Sequence, residues 1–232
     1  MNFKRLLATA AFLVAPMAQA SFVTIDEASL DAIYSQASFG ANKVDIRIGL
    51  VSIFTRPDLL NITADSQIDT LFNLHVGGAN VVNFYFVDTI DSCGIFNVNI
   101  IGCGETPGND FVVESAFAAD NSIPAGGNVT VAGQLLAHEL GHNLGLNHRN
   151  GNFLMNPFIN GFGELSAAEV AEILLSPLIQ VDANGQRYIQ INPVLITNAA
   201  LIPEPSGLAL AGGALLLLGL VRRKRTARPL QA

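Results

Sequence analysis

The chain contains no tryptophan, and its aromatic residues amount to only 7% of the sequence. This scarcity gives little support to polysaccharide binding, which would call for aromatic platforms. Charged residues are also few, at 13%, whereas hydrophobic residues make up 50% of the 232 residues. This balance favours one compact domain with apolar targeting segments over two full domains.

The first targeting segment lies at residues 1–20. Lys4 and Arg5 stand before a short apolar run, and Ala20 closes an Ala-Gln-Ala sequence. This order is typical of a signal peptide that signal peptidase cleaves after the last small residue. An N-terminal core helix is the alternative, but it does not account for the three features together. We therefore expect an exported protein whose main domain spans residues 21–202.

The second targeting segment lies at residues 203–232. A Pro-Glu-Pro sequence begins at Pro203, an apolar run follows at 208–221, and four basic residues come next. The run is shorter than the roughly 20 residues of a usual transmembrane helix, although its basic flank suits a membrane. This three-part order resembles the PEP-CTERM sorting signal of Gram-negative bacteria, and an ordinary tail anchor is the alternative. The resemblance implies transient retention in the inner membrane and cleavage by an exosortase-type enzyme. It also implies delivery to the cell surface or an extracellular matrix.

Loss of both segments changes the charge of the chain. Seven of the 12 basic residues lie in these ends, but only one of the 19 acidic residues does. The remainder of the chain therefore has 5 basic and 18 acidic residues. So acidic a domain repels nucleic acid and anionic membrane surfaces. Those partners are not expected, and the membrane is contacted only through the C-terminal segment before processing.

The chain has two cysteines, Cys93 and Cys103, on either side of a segment rich in glycine and asparagine. A disulfide between them is the preferred interpretation for an exported chain. A catalytic thiol is the alternative, but it would need a partner histidine, and the histidines of this chain are assigned to other roles.

Three of the 4 histidines fall within residues 138–148, which read HELGHNLGLNH. His138 and His142 stand four residues apart on a predicted helix, so both imidazoles lie on one face. With His148 as the third ligand, they leave a fourth tetrahedral position for water at a zinc ion. Gly145 is expected to end the helix, because glycine takes a left-handed backbone without strain and lets the chain bring His148 back.

Glu139 is predicted to be the general base and not a ligand. It lies about 100 degrees around the helix from His138, toward the open fourth position. Zinc would lower the pKa of a water there, and Glu139 would take its proton so that the hydroxide attacks a peptide carbonyl. The alternative function is a surface or matrix protein that is stabilised by zinc but not catalytic. Such a site would close the fourth position and would not need this carboxylate.

The eleven-residue pattern resembles the signature of the metzincin clan of zinc peptidases, in which a methionine-containing turn follows. Met155 matches that methionine, and its implied role is a hydrophobic floor under the histidines. The resemblance implies an α/β (α+β) fold of two lobes. The upper lobe would hold a twisted, mostly parallel sheet with helices, and a small, mainly helical lower lobe would follow Gly145. It also implies one catalytic Zn2+ in a secreted metalloendopeptidase that cleaves proteins or peptides.

Other residues are placed outside the catalytic site. Asp88, Asp110 and Glu114 lie near positions that hold structural Ca2+ in some metzincins, but acidic residues at strand ends are usually solvated. His75 is predicted to lie on the apolar face of a helix as a structural histidine.

Hydrophobic periodicity predicts four helices and four strands. A capping box, in which Ser166 and Glu169 satisfy each other's backbone N–H groups, marks the start of the last helix. The helices are expected at residues 26–37, 65–75, 129–144 and 166–176, and the strands at 41–54, 81–90, 111–114 and 187–196.

Overall fold

The computed structural model describes residues 25–94 and 96–198. Within these ranges, no helix combines the length and the apolar character needed to cross a membrane. The predicted signal peptide and the predicted sorting tail, including its apolar run at 208–221, lie outside the described residues.

The described residues form two sheets, on which five α-helices pack. The strands are β1 (Val44–Ile48), β2 (Ser52–Thr55), β3 (Asn61–Ile62), β4 (Val81–Val87), β5 (Thr89–Ser92), β6 (Phe96–Ile100), β7 (Gly102–Gly104), β8 (Asp110–Glu114), β9 (Gln180–Val181) and β10 (Arg187–Thr197). The helices are α1 (Glu27–Tyr34), α2 (Asp65–Phe72), α3 (Ser115–Ala118), α4 (Val131–Asn143) and α5 (Ala167–Ile173).

The larger sheet has the strand order β1-β10-β4-β8-β7. Strand β2 continues along β10 on the same side as β1, and both run parallel to it. The pairs β10–β4 and β4–β8 are also parallel, whereas β7 is antiparallel to β8 and β9 is antiparallel to β10. The smaller sheet has the order β3-β5-β6.

Both faces of the larger sheet are buried. Phe84 and Phe86 of β4 lie in a core with residues of α1 and α4, while Tyr85 and Val87 lie in a second core with residues of α2 and β5. A strand covered on both faces is apolar at nearly every position, which explains why 81–87 is a continuous run of Val, Phe and Tyr with one Asn. The predicted mixed α/β class with a largely parallel sheet is confirmed.

The order of the strands differs from simple sequence order in one respect. Strand β10 comes from the end of the described chain but lies between β1 and β4, in the middle of the sheet. Residues after Gly145 therefore do not all belong to a separate lower lobe, since 187–197 return to the main sheet. The two-lobed arrangement stays a prediction.

Candidate metal centre

Helix α4 carries the metal motif through the core. Thr130 caps its start, where its Oγ1 accepts a hydrogen bond from Gly133 N at 2.9 Å. Every residue of the helix except His142 is buried, so the apolar residues around the motif are core residues. Gly145 takes a φ of 100°, and Leu146 N donates to Gly141 O at 2.9 Å. The predicted helix end at a left-handed glycine is confirmed.

This turn brings the three histidines together. The ligand atoms of His138, His142 and His148 lie within 4.8 Å of one another, and this is the one such group of metal-binding side chains in the described residues. The Nε2 atoms of His142 and His148 are 3.1 Å apart. Two nitrogens at about 2.0–2.1 Å from one tetrahedral ion would lie about 3.3 Å apart, so the spacing of this pair fits a zinc-sized ion, while the group as a whole spreads to 4.8 Å.

Hydrogen bonds fix which nitrogen each helical histidine offers. His138 Nδ1 lies 2.9 Å from Leu154 O, and His142 Nδ1 lies 2.8 Å from Leu146 O. A carbonyl oxygen can only accept, so both Nδ1 atoms donate and both Nε2 atoms keep a free lone pair. The tautomer needed for ligation is thus set by the backbone before any ion binds.

Burial also keeps these imidazoles neutral. It lowers the pKa of His138 to about 4, and it lowers the pKa of His142 and of His148 as well. A metal competes with a proton for the imidazole lone pair, so neutral rings are ready to bind an ion at neutral pH.

Met155 packs directly against α4, the helix that carries His138 and His142. Its Sδ would lie 2.6 Å from a Cβ placed on Gly141, so only glycine leaves room for it. Arg149 N donates to Met155 O at 2.7 Å, which joins the segment after His148 to this methionine. Met155 is fully buried at the turn of α4 between His138 and His142. This position suits the predicted floor of the site.

The segment after His148 is also held by α5. The predicted capping box is confirmed, since Ser166 N donates to Glu169 Oε2 at 2.7 Å and Ser166 Oγ accepts from Glu169 N at 3.3 Å. The same Oε2 accepts from Arg149 Nη1 at 3.0 Å, and the Arg149 guanidinium lies 3.4 Å from the ring centre of Phe153. The residue next to the third histidine is therefore anchored at two points.

Glu139 is only 5% exposed and faces strand β7. A Cβ on Gly102 would collide with Glu139 Oε1 and would lie 2.9 Å from its Cγ, and a Cβ on Gly104 would lie 3.3 Å from Oε2. Burial raises the pKa of Glu139 to about 8. No hydrogen bond from the described residues reaches its carboxylate, so its capacity to accept one is not used within them.

Gly102 and Gly104 form a glycine wall beside Glu139, which the sequence analysis did not predict. The only signal is that Gly102 and Gly104 alternate with Cys103 in a short extended segment, as glycines do where another group approaches closely. The predicted disulfide between Cys93 and Cys103 is confirmed, with a Cα–Cα distance of 6.0 Å.

Gln134 is a second residue whose role the sequence did not show. Its side chain is fully buried one helical turn before His138. Its Oε1 accepts from Asn160 N at 3.0 Å and from Gly161 N at 2.7 Å, and its Nε2 donates to Asn160 Oδ1 at 2.9 Å. These hydrogen bonds attach the loop after Met155 to helix α4.

Replacing Gln134 by Met should lower the free energy of unfolding by about 2 kcal/mol, because the buried N–H of Gly161 and the partly buried N–H of Asn160 lose their acceptor. Urea denaturation measures this loss. The exposed Gln186→Met variant is the matched control and should change stability by less than about 0.5 kcal/mol. Equal effects in the two variants would show that Gln134 does not hold the loop.

The remaining predicted residues lie outside the three-histidine group. His75 Nδ1 is 2.9 Å from Asp110 Oδ1, and Asn83 Nδ2 is 3.2 Å from the same nitrogen. Glu114 Oε1 accepts from Ile90 N at 2.8 Å. Burial raises the pKa of Asp110, and the hydrogen bond with His75 opposes this shift. Asp110 and Glu114 therefore serve internal contacts, and Asp88 is exposed.

Comparison with protein-family models and with curated proteins finds no match to this chain. The arguments for function therefore rest on the geometry of the site.

Proposed function

We propose that the protein is an exported zinc-dependent metalloendopeptidase with a metzincin-like site. One observation carries the proposal. Three histidines converge, two of them on α4 with their Nδ1 atoms fixed by backbone carbonyls, and Glu139, whose carboxylate has no hydrogen-bond partner among the described residues, lies on the same helix. A site that only stabilises a fold has no need of a buried, unpaired carboxylate at this place.

His138, His142 and His148 would hold the ion. Zinc at this position supplies a Lewis acid that polarises a peptide carbonyl and makes a nearby water more acidic. The backbone carbonyls of Leu154 and Leu146 keep the rings of His138 and His142 in the orientation and tautomer that ligation requires.

Glu139 would take a proton from the attacking water and pass it to the leaving amine. Its position on α4, one residue after His138, puts the carboxylate on the side of the site that faces β7. Gly102 and Gly104 leave the space that this side chain occupies and restrict where it can move. A cation bound to the histidines would oppose the burial that raises the pKa of Glu139 and would favour the carboxylate form that takes up a proton.

Strand β7 would also orient the substrate. In the described residues it pairs with β8 on one side, and its other side is an open edge. An extended peptide can add to such an edge through backbone hydrogen bonds, whatever its side chains. A peptide bound there would lie next to Glu139, which suits an endopeptidase.

Metal binding tests the first part of the proposal. The purified protein should bind one zinc ion per chain, and zinc at about 100 times its Kd should raise the free energy of unfolding by about 2.7 kcal/mol. His148→Ala should lose the ion, whereas His75→Ala, the matched control, should keep it. Equal zinc content in the two variants would contradict the assignment.

Hydrolysis tests the second part. The native protein should cleave a random fluorogenic peptide library, a chelator should abolish the cleavage, and added zinc should restore it. Zinc binding without any cleavage would instead support a non-catalytic, zinc-stabilised surface protein.

A further inference from the structure

Strand β7 contacts helix α4, belongs to the larger sheet and carries one cysteine of the disulfide. Successive residues of a strand point to opposite faces. Gly102 and Gly104 face Glu139 on α4, and Cys103 points to the other face, where it is 7% exposed in the core that contains Tyr85 and Val112. The wall beside the carboxylate is therefore built on the strand that carries the disulfide.

Three kinds of contact hold this strand: its pairing with β8, the packing of its glycines on α4, and the disulfide. It has three residues, two of which are glycines without a side chain to pack, and it pairs with β8 alone among the described residues. Glycine in a strand weakens it, because it brings no side-chain packing and loses more conformational freedom on folding. Cys103 thus supplies the one side chain by which β7 is held.

Backbone hydrogen bonds anchor the chain on both sides of β7: Glu114 N donates to Ile101 O at 2.9 Å before it, and Glu105 N donates to Asp110 O at 3.2 Å after it. At its far end, Asn143 Nδ2 donates to Glu105 O at 3.1 Å, which joins the strand to the end of α4. At its near end, the chain comes from β6 of the smaller sheet, and Cys93 follows β5 of that same sheet. The disulfide adds a second covalent link between the smaller sheet and β7, besides the peptide chain that leads from β6.

We propose that the Cys93–Cys103 disulfide positions Glu139 for catalysis, so that the site becomes active only when this disulfide has formed. The inference rests on the proposed peptidase function. The cysteines act through β7 and touch neither substrate nor metal. Without the disulfide, the glycine wall moves away from α4, and the buried carboxylate loses the surface that fixes it.

Reduction of the disulfide would leave two cysteine thiols. Two thiol molecules would supply the two electrons and two protons and be oxidised to a disulfide, whereas a phosphine would supply two electrons and become a phosphine oxide, with water supplying the two protons and the oxygen. The cytoplasm keeps thiols reduced, whereas the compartments outside the inner membrane allow disulfides to persist. Together with the export signal expected at residues 1–20, this would keep the peptidase silent until it has left the cytoplasm.

The test compares the oxidised full chain with its Cys93→Ala/Cys103→Ala variant. We expect the variant to bind as much zinc as the oxidised native protein, with a kcat at least tenfold lower and a KM within twofold. Displacement of a catalytic group mainly affects the chemical step. Amide hydrogens of residues 102–104 should exchange faster in the variant, while those of α4 exchange as in the native protein. A phosphine reductant should reproduce these changes in the native protein, reoxidation should reverse them, and the double variant should not respond.

A variant with native kcat and native exchange at residues 102–104 would overturn the inference. The hydrogen-exchange arm decides the positioning claim even if the oxidised protein cleaves no peptide, in which case the proposed function fails separately. If the variant does not fold, reversible reduction of the native protein gives the same two readouts. Loss of zinc along with activity would also overturn the inference, because the disulfide would then support the metal site and not Glu139.

Discussion

Replacing Glu139 by Gln should lower kcat/KM for peptide hydrolysis by about three orders of magnitude, the usual scale for loss of a general base. The amide keeps the shape of the side chain and fills the same space beside Gly102 and Gly104, but it cannot take up a proton. Zinc content should stay at one ion per chain, because the three histidines and their backbone acceptors are unchanged. Steady-state kinetics and metal analysis on the same preparation measure both quantities.

The same variant should change the pH dependence of stability in the metal-free protein. Burial raises the pKa of Glu139 to about 8, above the usual value near 4.5, so the folded state binds more protons than the unfolded state between these pH values. The native protein should therefore lose stability as pH rises through this range, and Glu139→Gln should lose less. If Glu139→Gln hydrolyses peptides as fast as the native protein does, Glu139 is not the proposed general base.

The metal site could be predicted because its residues are close in sequence. His138 and His142 are one helical turn apart, and Gly145 allows the turn that returns His148, so local backbone geometry is enough to join them. The capping box at Ser166 is local in the same way. The wall formed by Gly102 and Gly104 could not be predicted, since it depends on the approach of a strand more than thirty residues before Glu139.

The longer elements of the fold were predictable, but their arrangement and the short elements were not: β3, β6, β7, β9 and α3 have no predicted counterpart. Alternation of apolar residues indicates a strand at 187–196, and the structure has one at Arg187–Thr197. Its pairing with both β1 and β4 depends on residues far away in sequence, which no periodicity encodes. The predicted strand at 41–54 is two strands, β1 and β2, whose ladders with β10 are separated by residues 49–51. Gly49 lies so close to β10 that an added Cβ would collide with the Asn192 side chain.

Replacing Gly102 by Ala should lower kcat by about a hundredfold, because displacement of a catalytic group by about 1 Å has effects of this size. The added methyl group would collide with Glu139 Oε1 and lie 2.9 Å from its Cγ, so either the carboxylate or β7 must shift. Zinc content should not change. Gly78→Ala is the matched control, since its Cβ would approach only the flexible Asn80 Oδ1, at 3.1 Å, and it should keep native kcat.

A double-variant cycle shows whether Gly102 acts through Glu139. If the methyl group harms catalysis only by displacing the carboxylate, Gly102→Ala added to Glu139→Gln should cost almost no further activity, because the group that it displaces has already lost its function. Additive losses would mean that Gly102 contributes independently, for example by leaving room for the substrate backbone along β7. Native kcat in the Gly102→Ala single variant would show that β7 does not position Glu139 at all.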